Sequence, residues 1–122
     1  MIGFHNRFHG HNSLSTLFRK GRVVRGKDLS LKYLQTDRPT SRVAVVISKK
    51  VAKSAVVRNR IRRRVYEILR LKFPEFKGSY DISVGIFSSE LAKVPAAELE
   101  KQVSDLLKSA QIIEGSGENS KK

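Results

Sequence analysis

Residues 55–72, AVVRNRIRRRVYEILRLK, constrain the fold more than any other stretch, because they demand an apolar and a solvated surrounding at once. Val57, Ile61, Val65, Ile68 and Leu69 fall at i, i+4, i+8, i+11 and i+12, the spacing of one helical face. Arg58 and Arg62 flank that face on one side and Arg60 and Arg64 on the other, while Arg63 and Arg70 point away from it. Ser54 is the expected N-cap, and Pro74 follows the last turn as a stop. A helix with a single apolar stripe has to lie on a partner layer.

Its charge is the second constraint. Residues 49–72 hold ten Lys or Arg against Glu67 alone, which makes +9 of the chain's formal +14. Like-charged i,i+4 pairs such as Arg58 with Arg62 and Arg60 with Arg64 cost about 0.2–0.5 kcal/mol each in an isolated helix. Solvated helices normally interleave the two signs, and this one does not. A polyanion turns the repulsion into attraction, and the planar guanidinium fork suits phosphate oxygens. The pattern points to nucleic acid.

Within this stretch, Ser48-Lys49-Lys50 followed by Ala55-Val56-Val57-Arg58-Asn59-Arg60-Ile61-Arg62-Arg63 resembles the signature of the bacterial ribonuclease P protein subunit family. There an R-N-R core on a helix follows an S-K-K strand end. The flanking chain agrees over about residues 6 to 110. The loop between Lys50 and Arg58 is one residue longer than in many members, and Tyr66 stands where a basic residue is common.

The chain's 122 residues suit one domain with a modest core. Residues 1–72 carry 19 Lys/Arg against Asp28, Asp37 and Glu67, a net of +16; residues 73–122 carry 6 against 8 acids, a net of −2. The basic half is the expected binding half. There is no Cys, hence neither a disulfide framework nor a thiolate metal site. No apolar run approaches a membrane span and the start lacks a signal-peptide core, so a cytoplasmic protein without membrane contact is expected.

Residues 1–12 lack periodicity and are expected to form an irregular strap. His5, His9 and His11 within it lack a partner Cys or a nearby carboxylate and make a weak metal signal. A short helix is expected from Asn12 or Ser13 to Gly21, with Leu14, Leu17 and Phe18 as its apolar stripe. Phe18 reads either as core or as a stacking platform for an unpaired base. Residues 22–34 suggest a strand pair, or one long bent strand, around Arg25–Asp28. Leu29, Leu31 and Tyr33 alternate there with Ser30, Lys32 and Leu34. The Ser30/Lys32 face could line a groove for a nucleic-acid strand.

Residues 43–47, VAVVI, form an almost unbroken apolar run, which predicts a central strand buried on both faces and delivers Ser48, Lys49 and Lys50 to the sheet edge. Residues 80–87 alternate as another strand, with Ile82, Val84 and Ile86 on one face. Leu99, Val103, Leu106, Leu107 and Ala110 give a last amphipathic helix opened by Pro95. The fold class is therefore α+β, with element order α-β-β-β-α-β-α. The packed domain is expected over 13–112, and 113–122 is expected to be a disordered tail.

No Ser/His/acid set, phosphate loop or carboxylate cluster offers a protein active site. The resemblance implies a four-stranded sheet with a left-handed crossover, where the general rule gives a right-handed one. It also implies an endonuclease holoenzyme in which the protein joins the ribonuclease P RNA and the chemistry sits in that RNA. The RNA would hold most of the Mg²⁺, and the complex would remove the 5′ leader of precursor tRNA. On that reading Lys49, Lys50, Lys53, Arg58, Asn59, Arg60, Arg62 and Arg63 meet the RNA subunit, and Leu14, Phe18, Ser30, Lys32 and Ser48 line the leader groove. Leu14 stands where the family usually has Phe, and the family often has an aromatic near Lys32. No obligate protein partner is evident. The alternative is a structural RNA-binding protein of ribosomal type, which explains the charge but not the R-N-R context. A DNA-binding or membrane-surface protein could use the same basic amphipathic helix.

Overall fold

The computed structural model describes residue 17, residues 19–37 and residues 39–114. Four strands, β1 (Arg22–Arg25), β2 (Leu29–Thr36), β3 (Arg42–Ile47) and β4 (Ser79–Ile86), form one mixed sheet in the order β1-β2-β4-β3. β1 and β2 form a strand pair, one of the two arrangements that residues 22–34 suggested. β2 pairs antiparallel with both β1 and β4, while β3 runs parallel to β4. A parallel pair needs a crossover, and helix α1 (Ala55–Lys72) supplies it; helix α2 (Ala96–Ser109) follows β4. The fold is α+β. Leu17, Arg19 and Lys20 are helical, ahead of Gly21. A Cβ at Gly21 would meet the Leu17 carbonyl oxygen at 2.6 Å and that of Tyr33 at 2.9 Å, so only glycine lets the chain pass from that helix into β1.

Both helices cover one face of the sheet. Leu29, Leu31, Val43, Val45, Ile82, Val84 and Ile86 meet Ile61, Val65 and Leu69 of α1 and Leu99, Val103, Leu106 and Leu107 of α2 in a single core. Val57 and Ile68 pack at its margin, so the stripe read from the sequence is the buried one. The Ser54 hydroxyl accepts from Val57 N at 3.3 Å, which caps α1. Pro74 sits in a 3-10 turn, Phe73–Glu75, that ends the helix. The packed chain runs past the expected boundary at 112. Ile113 is as buried as Ile112, and the Ile112 carbonyl accepts from Lys77 N at 2.8 Å.

One expectation fails. β3 is an edge strand, and β2 and β4 are the central ones. Its apolar run is used differently on the second face: Ala44 packs with Leu17 and Leu34 in a small separate cluster, and Val46 is 47% exposed. An apolar run reports only that a strand has greasy surroundings, and here a terminal helix supplies part of them.

The end of α2 holds the only non-glycine residue with a positive φ among the described residues, Gln111 at 63°. Ile112 N donates to the Leu107 carbonyl at 2.9 Å, the six-to-one bond of a Schellman cap. That cap favours glycine, and an L-residue held there costs about 1 kcal/mol.

Candidate nucleic-acid interface

Two surfaces come from this scaffold. The first begins where β3 ends. Val51 N and Ala52 N both donate to the Ser48 carbonyl, at 3.1 and 3.3 Å, turning the chain sharply. Ala52 is buried and Val51 half-buried, which pins the loop, while Ser48, Lys49, Lys50 and Lys53 stay exposed. Arg58 closes the loop from the other side. Its Nη1 donates to the Ala52 carbonyl at 2.8 Å and to that of Lys53 at 3.0 Å.

The remaining arginines of α1 divide by role. Arg60 Nε donates to the Ala92 carbonyl at 2.9 Å; Arg64 donates to the Leu91 carbonyl at 2.7 Å and also to that of Val94. These carbonyls belong to the 3-10 turn Ser89–Ala92 and the residues just after it, so two guanidiniums fasten the β4–α2 connection to the crossover helix. Arg62 Nη1 donates to the Asn59 Oδ1 at 2.9 Å, and Asn59, Arg60 and Arg63 are exposed. The sequence expectation gave Arg58 and Arg60 to RNA alone. The structure gives each a backbone partner as well, leaving some N–H donors of each fork for phosphate. Glu67 neutralises only the outer end of the helix. The hydrogen bond from Arg70 is the chief cause that holds its carboxyl down to about 2.

The second surface lies on the sheet face opposite α1 and α2, beside the small cluster of Leu17, Leu34 and Ala44. Val23, Arg25, Ser30, Lys32, Val46, Ser83, Gly85 and Phe87 line a shallow cleft of about 280 Å³ there. Ser30 and Lys32 are brought together as expected. Ser48 is not in the lining but lies exposed two residues beyond Val46, on the way to Lys49 and Lys50. Leu14 and Phe18 fall outside the described residues, as do His5, His9 and His11. Phe87 is 57% exposed, and its N donates to the Asp28 carbonyl at 2.8 Å. A Cβ on Gly85 would stand 3.2 Å from the Ser30 hydroxyl and 3.6 Å from the Phe87 ring, so glycine keeps the floor flat beside the aromatic.

Sequence reasoning passed over Phe87, although the signal was present. It is out of phase with Ile82, Val84 and Ile86, hence on the polar face with Ser83 and Gly85. Further along the sheet, Arg42 holds the buried Asp81 carboxylate bidentately, Nε to Oδ1 at 3.0 Å and Nη2 to Oδ2 at 2.9 Å. That carboxylate is a structural partner. Among the described residues no group of three or more His, Asp or Glu side chains lies close enough to hold a metal ion, and no helix is long and apolar enough to cross a membrane.

Residues 4–111 match the sequence model of the family described as Ribonuclease P. The ribonuclease P protein component of a Pseudanabaena species is 32% identical over 116 residues, covering 94% of this chain and 99% of that one. Its counterpart from Thermus scotoductus is 42% identical over 99 residues, 79% of this chain and 55% of the relative. Among solved structures, the RNase P protein of Staphylococcus aureus superposes with a TM-score of 0.78 at 19% identity, over 88% of this chain and 97% of that one. The protein from Thermotoga maritima gives 0.76 at 24%, over 89% and 98%. At these identities the structural likeness speaks for the fold alone.

Proposed function

We propose that this chain, which belongs to the ribonuclease P protein family, binds the catalytic RNA of ribonuclease P and the 5′ leader of precursor tRNA, and so assists removal of the leader. The observation that carries the reading is an exposed basic edge continuous with an open cleft. Lys49, Lys50 and Lys53 are exposed just before α1, with half-buried Arg62 and exposed Arg63 about two turns into it, and the cleft of Ser30, Lys32 and Phe87 reaches Val46, two residues before Ser48.

In this reading the basic edge meets the phosphates of the RNA subunit. Counterion release supplies much of that affinity, and it makes binding steeply salt-dependent. Arg58 holds the lysine loop in place and turns its remaining donors to phosphate. The cleft takes the unpaired leader. Phe87 offers a stacking face, Arg25 and Lys32 attract the backbone, and the Ser30 and Ser83 hydroxyls exchange hydrogen bonds with sugar or base. In this proposal the Mg²⁺ that supplies the hydrolytic chemistry is held mainly by the RNA, as the family resemblance implies. The setting is the cytoplasm. Native co-purification followed by sequencing of the bound RNA tests the assignment. Recovery of the ribonuclease P RNA with precursor tRNA supports it, whereas ribosomal RNA in their place would favour a structural RNA-binding role.

A further inference from the structure

At the end of the sheet beside the last turn of α2 lies a larger cleft of about 630 Å³. It opens between the start of β1, the end of β2, the start of β4 and the capped end of α2. Lys20 and Arg22, both exposed, stand at it, with Tyr33, Gln35, Tyr80 and Gln111 among its lining. We infer that this cleft is a second nucleotide site, which holds one unpaired nucleotide of a bound RNA by its phosphate, its ring face and its base edge.

Each part of that ligand has a counterpart of matching chemistry. Lys20 and Arg22 are the cations for the phosphate. Their two charges outweigh the roughly half negative charge at the C-terminus of α2. Tyr80, 8% exposed, is set edge-on to Phe76 with centroids 6.2 Å apart, and forms a fixed floor. Tyr33 is half-buried, packed at the margin of the core and in the cleft's lining, and in this site it supplies the ring for a stacked base. The amides of Gln35 and Gln111 each supply a donor and an acceptor, the pair needed to read a base edge.

Two backbone observations favour a ligand over a chance depression. Gln111 sits at φ 63°, where the cap would be satisfied more cheaply by glycine, yet it places a long amide side chain at the cleft. A strained position that keeps a polar side chain at a concave surface is a functional hint. At Gly78, an added Cβ would come within 3.1 Å of the Gln35 Nε2, so glycine leaves that amide its room. The inference rests on the RNA-binding reading above for the origin of the nucleotide, but not for the chemistry of the cleft.

The test follows backbone amides of the isotope-labelled full chain by NMR during titration with adenosine 5′-monophosphate, ribose 5-phosphate and inorganic phosphate. The inference predicts that adenosine monophosphate moves Arg22, Gln35 and Gln111 together, and that ribose 5-phosphate and phosphate bind at least several-fold more weakly. Gln111→Gly should raise the thermal midpoint by a few degrees and still weaken adenosine monophosphate several-fold, and Arg22→Gln should weaken it without the gain in stability. Saturating the chain with the ribonuclease P RNA should abolish the response. Shifts confined to Ser30, Lys32 and Phe87, equal binding of phosphate alone, or a stabilised Gln111→Gly with unchanged affinity would each overturn the site. A response that persists in the RNA complex would overturn the RNA origin of its occupant. Failure of the wild-type chain to bind that RNA at all would refute the proposed function, and it is read separately from the mononucleotide titration.

Discussion

Single side chains divide here into those that hold the fold and those that face solvent, and exposure with hydrogen bonding separates them. Phe87 is exposed and aromatic, so Phe87→Ala should leave the thermal midpoint within a degree or two. It should also weaken binding of precursor tRNA by the reconstituted holoenzyme by about 1–3 kcal/mol, the worth of one stacked base, with mature tRNA unaffected. Equal losses for both tRNAs would refer the defect to assembly. Asp81 is the opposite case. Asp81→Asn leaves Arg42 without its bidentate carboxylate in a mostly buried site, and thermal or urea unfolding should report a loss of about 3 kcal/mol. Glu67 makes a pH prediction. Its folded pKa of about 2 lies below the ordinary 4.5, so its contribution is complete above pH 4.5 and is lost as pH falls toward 2. Side-chain NMR titration should show that low midpoint, and Arg70→Ala should return it toward 4.5. The side chain is about half exposed and its partner lies at the surface, so the effect on stability is small.

At the scale of elements, helix α1 acts as a brace as well as a binding surface. Its apolar stripe and Ser54 cap were readable, because both are local patterns along one helix. The carbonyl partners of Arg58, Arg60 and Arg64 were not, since a backbone acceptor has no residue type to recognise. Neighbouring arginines should therefore behave differently. Arg63→Ala, on the exposed face, should change stability by less than about 0.5 kcal/mol and lower the salt slope of RNA binding by about one. Arg64→Ala removes a charged donor from the Leu91 and Val94 carbonyls. It should cost about 1.5–3 kcal/mol in unfolding, with the salt slope nearly unchanged. Matched effects of the two variants would contradict the division. Strand order was equally illegible. The apolar run of β3 fits a central strand, and only the pairing of β2 with β4, some fifty residues apart in the chain, assigns it to the edge.

Taken whole, the molecule puts its main core on one sheet face and a small cluster of Leu17, Leu34 and Ala44 on the other, where the cleft and the basic edge also lie. The N-terminal 72 residues carry a net charge of +16, the remainder −2, and α1 is the point at which the basic half is folded onto the rest. Composition made that polarity evident, and the alternation in β2 identified the face that carries the cleft. What folding added was Phe87 and Gly85 from the acidic half, brought beside Ser30 and Lys32 by strand pairing. The central claim is that these surfaces serve a catalytic RNA and its substrate. The most direct measurement is cleavage of precursor tRNA by the ribonuclease P RNA with and without this chain, at fixed salt and Mg²⁺. The account predicts that the chain raises kcat/KM for a substrate carrying a leader, and that Lys32→Gln with Phe87→Ala removes most of the gain while the RNA complex still assembles. A chain that binds the RNA yet leaves leader removal unchanged would contradict it.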